Sequence, residues 1–299
     1  MPDLDNLTLD YFVMDVFTDT ALKGNQLAVV MNTSGLVTDQ MQAIAREFNL
    51  SETTFVERRA PDVERAQGVR VRIFTSQEEL DFAGHPTLGT AAVLGMSAPS
   101  ALQDDTVTLR LNVGPVPVKF SADGAFGEMT QPDPTFGDTL DSVEVAELIG
   151  LDVADLDPDL SPAVVSTGSA FAIVALASAA SLGRLSVHQQ EAAKWLRAHG
   201  ARWFYVLAPT GATEPDYRAR MQFNGGEDPA TGSAAGCAIA YLVRHGVVAS
   251  GRRIHLRQGV EIARQSELFL SAEMHAGRVT GVRVAGSTVL VAKGQLFLR

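Results

Sequence analysis

The sequence predicts an α+β fold made of two pseudo-symmetric domains, each combining a curved, mostly antiparallel sheet with a helix. Strand-like segments dominate both halves of the 299 residues. The pattern Pro-x-x-Gly-[Thr/Ser]-Ala-Ala occurs twice, at Pro86 and at Pro229, and internal repetition of this kind indicates two similar halves. No Gly-x-Gly-x-x-Gly motif follows a strand, which disfavours a doubly wound parallel sheet and a nucleotide cofactor.

The first half alternates strands with two helices. Apolar residues recur at helical spacing from Met41 to Phe48, so we expect a helix with Thr38 as its N-cap and Asn49 at its end. A second, small-residue helix is predicted from Pro86 to about Leu94. Alternating or β-branched segments predict the strands Thr8–Phe17, Gln26–Met31, Ser51–Val56, Val69–Phe74, Thr106–Val113, Val116–Ser121 and Phe126–Thr130.

The second half repeats this mixture after a proline-rich boundary near residues 131–134. We therefore expect domains at 1–131 and 132–286, with the last strand, 287–299, returning to the first domain. Helices are predicted at Val143–Ile149, at Val187–His199 and after Pro229. Strands are predicted at Ala163–Leu176, Trp203–Leu207, Tyr217–Phe223, Ile254–Leu256, Val260–Ala263, Leu268–Ala272, Arg278–Val284, Ser287–Val291 and Gln295–Leu298.

The two repeated motifs are predicted to begin helices whose first turns bind an anion. Pro229 suits a first helical position, and Asp228 suits the N-cap before it. Gly232 and Ser233 leave that turn uncluttered, so a ligand can approach backbone N–H groups at the positive end of the helix dipole. The first copy, beginning at His85, predicts the same arrangement, and we expect both helix starts to point at a shared cleft.

Composition narrows the classes of partner. The formal net charge is −11, which argues against nucleic acid and anionic membranes and favours a small-molecule substrate. Cys237 is the single cysteine, so no intramolecular disulfide, cysteine-based metal cluster or two-thiol racemase mechanism is available. Residues 1–5 lack the pattern of a secretory signal, and no apolar run is long enough to span a bilayer. We expect a soluble, cytoplasmic protein with no metal site.

Several motifs together resemble those of the phenazine-biosynthesis isomerases, the PhzF-like family, which has the diaminopimelate-epimerase fold. They lie in the family's order along almost the whole chain: Asp15-Val16-Phe17-Thr18, Leu22-Lys23-Gly24-Asn25, Ser51-Glu52-Thr53-Thr54-Phe55-Val56, Arg72-Ile73-Phe74-Thr75, Phe82-Ala83-Gly84-His85-Pro86, Glu227 to Gly236, and Gln258-Gly259-Val260-Glu261. The resemblance implies two similar domains, each with a central helix, a homodimer, and no cofactor.

The resemblance also implies an activity and a site. In the family the best-characterised reaction is the isomerisation of trans-2,3-dihydro-3-hydroxyanthranilate, which moves a proton between ring carbons. Glu52 is then the acid/base, with His85 and Asp228 as further catalytic candidates. The residues expected to bind the substrate, a small and carboxylated, cyclic metabolite, are Gly84, Gly232, Ser233 and Asn25.

The chemistry of these residue types fits that role. A carboxylate partly withdrawn from water has a raised pKa and so serves as both base and acid, whereas the ordinary interpretation of Glu52 is a solvated residue at a strand edge. Backbone amides at Gly84, Gly232 and Ser233 would stabilise developing negative charge. Two other functions stay open: an epimerase or racemase that works without thiols, and a binding protein without turnover.

Overall fold

The structure is a computed structural model that describes residues 7–211, 215–223 and 225–298. The N-terminal residues on which the signal-peptide prediction depends lie outside this range. Within the described residues, no helix combines the length and the apolar character that crossing a bilayer requires. Contacts divide the chain into two compact units, one formed by the residues up to Met129 with those from Gly286 onward, the other by Thr130–Ala285.

The first unit contains nine strands and three helices among its described residues, and it also takes the end of the last strand of the chain. Its strands are β1 (Leu7–Val16), β2 (Asn25–Val30), β3 (Glu52–Glu57), β4 (Val69–Phe74), β5 (Glu79–Leu80), β6 (Leu102–Gln103), β7 (Thr106–Leu111), β8 (Gly114–Phe120) and β9 (Phe126–Thr130); its helices are α1 (Thr38–Phe48), α2 (Pro61–Gln67) and α3 (Gly84–Ser97).

The second unit holds the remaining elements. Its strands are β10 (Thr135–Thr139), β11 (Ala163–Ser166), β12 (Ala170–Ala175), β13 (Trp203–Pro209), β14 (Tyr217–Arg220), β15 (Gln222–Phe223), β16 (Gly226–Glu227), β17 (Ile254–Gln258), β18 (Ser266–His275) and the first part of β19 (Arg278–Leu298); its helices are α4 (Ser142–Leu148), α5 (Ala179–Leu182), α6 (Gln189–Ala198) and α7 (Gly232–Arg244).

The two units pair their strands in the same succession. In the first unit the order is β19-β1-β2-β3-β4-β7-β8-β9, and only β2–β3 and β4–β7 are parallel. In the second the order is β10-β11-β12-β13-β14-β17-β18-β19, and only β12–β13 and β14–β17 are parallel. Parallel neighbours need a crossover, and α3 and α7 supply it for the second parallel pair of each unit.

Helices α3 and α7 are buried because their sequences are small and apolar on every face. All residues from Gly84 to Leu94 are buried in α3, and all from Gly232 to Val243 are buried in α7. Helix α3 packs on strands β1, β2, β3, β7 and β8, and α7 packs on β11, β12, β13 and β18. Amphipathic helices such as α1 cover other apolar surfaces, where Met41, Ile44 and Ala45 are buried.

The structure corrects several sequence predictions. Thr38 is the first residue of α1 and not its N-cap, which is Val37; the predicted end at Asn49 is confirmed, with φ of 50°. The predicted strand Val260–Ala263 is a turn, because Gly259 and Ala263 both adopt positive φ, which breaks an extended run. The three strands predicted after residue 277 are one continuous strand, β19.

The predicted starts of α3 and α7, the two helices that follow the repeated motifs, are also wrong. Helix α3 begins at Gly84, two residues before Pro86, and α7 begins at Gly232, three residues after Pro229. Asp228 is therefore not the N-cap of α7; that position belongs to Thr231. A proline favours a first helical turn but does not determine which residue begins it.

Candidate active site

A histidine and a carboxylate meet in the first unit. Glu52 is the first residue of β3, and His85 is the second residue of α3. The Oε2 atom of Glu52 lies 3.2 Å from the Nε2 atom of His85, and their side chains are 15% and 4% exposed. The contact does not have the geometry of a hydrogen bond. The two groups are thus close enough for acid–base chemistry and largely withdrawn from water.

Asn25 positions the other side of the imidazole. It begins β2, and the parallel register that pairs Leu27 with Glu52 brings the starts of β2 and β3 together. The Asn25 Nδ2 atom lies 3.1 Å from the Nδ1 atom of His85, and both side chains are buried. This contact and a hydrogen bond with the backbone of Gln26 hold the imidazole ring in place.

Burial governs the charge of His85. Desolvation lowers the pKa of His85 to about 3, while a hydrogen bond with the backbone of Gln26 acts in the opposite direction. Because the charged form is disfavoured, the imidazole is neutral near neutral pH. A neutral imidazole beside a carboxylate can donate or accept a hydrogen bond without holding a fixed positive charge.

Gly84 opens α3 and supplies backbone rather than side-chain groups. The amides of the first residues of a helix have no carbonyl in a preceding turn to bind. Pro86 has no N–H, and Thr87 donates its N–H to the Ala83 carbonyl at 3.3 Å. Gly84 and His85 therefore provide the first-turn amides of α3. The side chain of His85 lies beside the Glu52 carboxylate.

In the second unit, Asp228 belongs to a tight turn before α7. Its side chain is buried, and its Oδ2 atom accepts a hydrogen bond from the Thr231 hydroxyl at 2.7 Å. The buried amide of Gln258 donates to the Asp228 carbonyl at 2.8 Å and to the Thr231 hydroxyl at 2.9 Å. The turn is thus held by side chains and not by a helix cap formed by Asp228.

Gly232 and Ser233 form the first two positions of α7, and both are buried. The Gln131 amide donates to the Gly232 carbonyl at 2.9 Å, and its Oε1 atom accepts the Thr167 hydroxyl at 2.6 Å. A Cβ at Gly236 would overlap the Gln131 side chain. The start of α7 is therefore anchored by an amide that needs glycine one turn further along the helix.

The predicted residues fall into two groups, each within one unit. Asn25, Glu52, Gly84 and His85 are brought together in the first unit. Asp228, Gly232 and Ser233 lie along one turn and helix start in the second.

Sequence reasoning missed the residues that support these groups: Gln131, Thr167, Tyr205, Thr231 and Gln258. Gln258 stood in a motif shared with the family, but no role was predicted for it. A buried glutamine next to a glycine turn is a signal that points to a backbone-binding amide. Its partners lie 27 to 53 positions away in sequence, so the sequence did not identify them.

Cys237 is a buried thiol. Its pKa is raised to about 12, chiefly by burial. Its Sγ atom lies 3.5 Å from the Thr167 hydroxyl. It therefore has the surroundings of a packing residue and not of a nucleophile.

In the described part of the chain, no group of three or more His, Cys, Asp or Glu side chains is arranged to hold a metal ion. A surface cavity of about 370 Å³ in the first unit is lined by Arg65, Ala66, Gln67, Gly68, Gln103, Thr106, Thr108, Arg110 and Pro115. It includes none of the predicted site residues.

The described elements define an α+β fold dominated by sheet, with seven helices, and the pair formed by Glu52 and His85 is suited to acid–base chemistry. The chain belongs to the phenazine biosynthesis-like family of PhzF-type isomerases, whose model matches residues 14–294. The resemblance seen in the sequence motifs is thereby confirmed.

Known relatives agree with this membership. The chain is 34% identical to the trans-2,3-dihydro-3-hydroxyanthranilate isomerase of Pseudomonas aeruginosa, covering 96% of this chain and 99% of the relative. A Bacillus anthracis phenazine biosynthesis protein of the PhzF family has a TM-score of 0.84 at 25% identity, covering 97% and 99% of the two chains. A hydroxyproline epimerase from Agrobacterium vitis shares the fold, with a TM-score of 0.64 at 13% identity over 97% and 93%.

Proposed function

We propose that this protein is a cofactor-independent isomerase that moves a proton between two carbons of a small, carboxylated, cyclic metabolite. The observation that carries the proposal is the Glu52 carboxylate, mostly buried and 3.2 Å from a histidine that burial keeps neutral. The relative at 34% identity is named as an isomerase of a dihydro-hydroxyanthranilate, and this compound is the first substrate to test.

In the proposed reaction Glu52 is the acid/base. Its carboxylate removes a proton from one ring carbon, and the electron pair of that C–H bond enters the conjugated system of the substrate. The protonated carboxyl then returns the proton to a different carbon, so the enzyme ends unchanged and no oxidant or reductant is needed. Partial withdrawal from water makes a carboxylate a better base, and deuterium enters the product when the carboxyl proton exchanges with solvent before its return.

The other site residues are proposed to bind and orient the substrate. His85 is proposed to form a hydrogen bond with a substrate oxygen through the imidazole nitrogen that lies beside Glu52. Backbone amides at Gly84, Gly232 and Ser233 stabilise negative charge that develops as the proton leaves, a contribution of roughly 3–4 kcal/mol for a well-placed donor. Asp228 is proposed as a second catalytic carboxyl group that contacts polar groups of the substrate.

We also propose that the two units are the two pseudo-symmetric domains of a diaminopimelate-epimerase-like fold, each a curved sheet around a central helix. The domains would span 1–131 and 132–286, with 287–299 returning to the first. The common succession of parallel and antiparallel pairings, and the burial of α3 and α7, support this proposal. A homodimer in the cytoplasm is proposed from family membership.

Isotope exchange tests the role of Glu52. In deuterated water the wild type is expected to convert trans-2,3-dihydro-3-hydroxyanthranilate or a related cyclic carboxylate, while Glu52→Gln loses at least about 100-fold in rate, the usual contribution of a general acid/base. Glu57→Gln is the matched control, since Glu57 ends the same strand and its carboxylate lies 4.0 Å from Arg70. Exchange at the wild-type rate in Glu52→Gln would remove Glu52 from the mechanism.

The same experiment separates the alternatives. Chiral analysis of the product distinguishes an epimerase, which inverts one carbon, from an isomerase, which changes the position of hydrogen. Tight binding of a ligand with no isotope exchange in the wild type would instead indicate a binding protein without turnover.

A further inference from the structure

The side-chain amide of Gln258 lies at the end of β17 and is fully buried. Its Oε1 atom accepts hydrogen bonds from the Thr231 backbone N–H at 3.1 Å and from the Tyr205 hydroxyl at 3.0 Å. Its Nε2 atom donates to the Asp228 carbonyl at 2.8 Å and to the Thr231 hydroxyl at 2.9 Å. All four hydrogen-bonding positions of the primary amide, two acceptor and two donor, are therefore engaged.

Two backbone groups determine which end of this amide is which. The Thr231 N–H can only donate, so the atom that faces it must be the amide oxygen. The Asp228 carbonyl can only accept, so the atom that faces it must be the amide nitrogen. The orientation of Gln258 thus follows from the backbone and not from a choice between two equivalent placements.

The orientation of Gln258 determines the direction of the next hydrogen bond. Because the Gln258 Nε2 donates into the Thr231 hydroxyl oxygen, the hydroxyl proton must point elsewhere. Its partner is the Asp228 Oδ2 atom at 2.7 Å, so Thr231 is the donor and Oδ2 the acceptor. Burial raises the pKa of Tyr205, which keeps its hydroxyl protonated and donating at the far end of the same chain of hydrogen bonds.

We propose that Gln258 and Thr231 are positioning residues that keep the Oδ2 atom of Asp228 as a hydrogen-bond acceptor, so that any proton carried by Asp228 resides on Oδ1. The inference rests on the proposed function in giving Asp228 a role in proton handling. It assigns that role to the Oδ1 atom. The charged form of Asp228 is then stabilised by the Thr231 hydroxyl, which Gln258 on β17 orients.

Other charged and titratable groups lie around the turn. Tyr205 on β13 interacts electrostatically with Asp228. The neighbouring Glu227 forms a two-bond pair with Arg220, which also lies 3.9 Å from Glu261. The Thr231 hydroxyl donates directly to the Asp228 carboxylate, so its removal is the change to test.

The test follows the Asp228 carboxyl carbon by NMR in protein labelled at aspartate, with Asp228→Asn to assign the signal. Thr231→Val removes the donor, and the titration midpoint of Asp228 is expected to rise by about one pH unit, because a hydrogen bond to the charged form is lost. Thr231→Ser keeps the hydroxyl and is expected to restore the wild-type midpoint.

Gln258→Glu extends the test to the amide. A carboxylate at 258 can accept from Tyr205 and the Thr231 N–H, but it cannot donate, so the Thr231 hydroxyl is released from Asp228. The Asp228 midpoint is expected to rise at least as far as in Thr231→Val. Ser181→Ala is the matched control: it removes another buried hydroxyl of the same unit, one that donates to the Asp155 carboxylate at 2.7 Å, and is expected to leave the Asp228 midpoint unchanged.

Activity provides an independent readout. With an active substrate, Thr231→Val is expected to lower kcat about tenfold or more with a smaller change in KM. The acid limb of its pH–rate profile should shift to higher pH together with the NMR midpoint. An unchanged midpoint in both Thr231→Val and Gln258→Glu would overturn the inference. Since the NMR titration needs no turnover, an inactive wild type would count against the proposed function and leave this inference to be decided by the titration.

Discussion

The burial of His85 makes a quantitative prediction about acid stability. Its pKa is lowered to about 3 in the folded protein, against about 6.5 in an unfolded chain. Below pH 6.5 the unfolded chain therefore takes up a proton that the folded site does not, so acidification favours unfolding until the pH reaches about 3. The free energy of unfolding should fall by about 1.4 kcal/mol per pH unit in this window, or about 3 kcal/mol between pH 7.5 and pH 4.5.

Urea denaturation at pH 7.5, 6.5, 5.5 and 4.5 measures this contribution. His85→Asn cannot take up the proton, so its loss of stability on acidification should be smaller than that of the wild type by about 3 kcal/mol. His275→Asn, at a side chain that is 75% exposed, is the control and should keep the acid dependence of the wild type. The carboxylate of Glu52 favours a charged imidazole, so the experiment also decides whether desolvation outweighs that contact.

Equal losses in the wild type and in His85→Asn would refute this reasoning. If His85→Asn does not fold, the ring signals of His85 in the wild type give the same answer. They should stay constant from pH 8 to pH 4.5, and a midpoint between pH 6 and 7 would show that the site admits water.

Three further predictions concern other parts of the two units. Gly89→Ala places a Cβ 2.6 Å from the nearest side-chain atom and is expected to lower the free energy of unfolding by about 1–3 kcal/mol in urea, whereas Gly95→Ala, with its nearest atom at 3.8 Å, should cost nothing. Arg220→Met leaves the buried Glu227 carboxylate without its pair and should lower stability by about 3 kcal/mol; an unchanged Tm would contradict this. Cys237 should react with a thiol reagent at pH 8 only as fast as the protein unfolds, because burial raises its pKa to about 12, and rapid stoichiometric labelling of the native protein would show otherwise.

Much of the fold could be predicted from the sequence because its elements have strong local signals. The strand around Val69–Phe74 alternates buried and half-buried residues, and Asn49 ends α1 with the positive φ that asparagine tolerates. Helices α3 and α7 were predicted because their small-residue composition is unusual. Their starts were misplaced because the proline and acidic residues that precede α7 belong to a turn stabilised by side chains.

The site could be predicted only as far as single residues. Glu52, His85 and Asn25 were identified through motifs, but the contact between Asn25 and His85 joins positions 60 residues apart. No local pattern indicates that burial keeps His85 neutral, since that depends on everything packed against α3. The support of Asp228 by Gln258 is likewise a product of the β14–β17 pairing, which places the end of β17 beside the turn.

Strand β19 has a consequence for the way this protein can be made. Its first part pairs with β18, and its last part pairs with β1, so that Leu7 lies opposite Leu298. On this edge, nascent β1 must therefore wait for a partner strand synthesised 272 to 291 residues later, and contacts of such high sequence separation form slowly. A ribosome that stalls within α7 would release a polypeptide in which one edge of β1 is exposed, and such a fragment would depend on chaperones to escape aggregation.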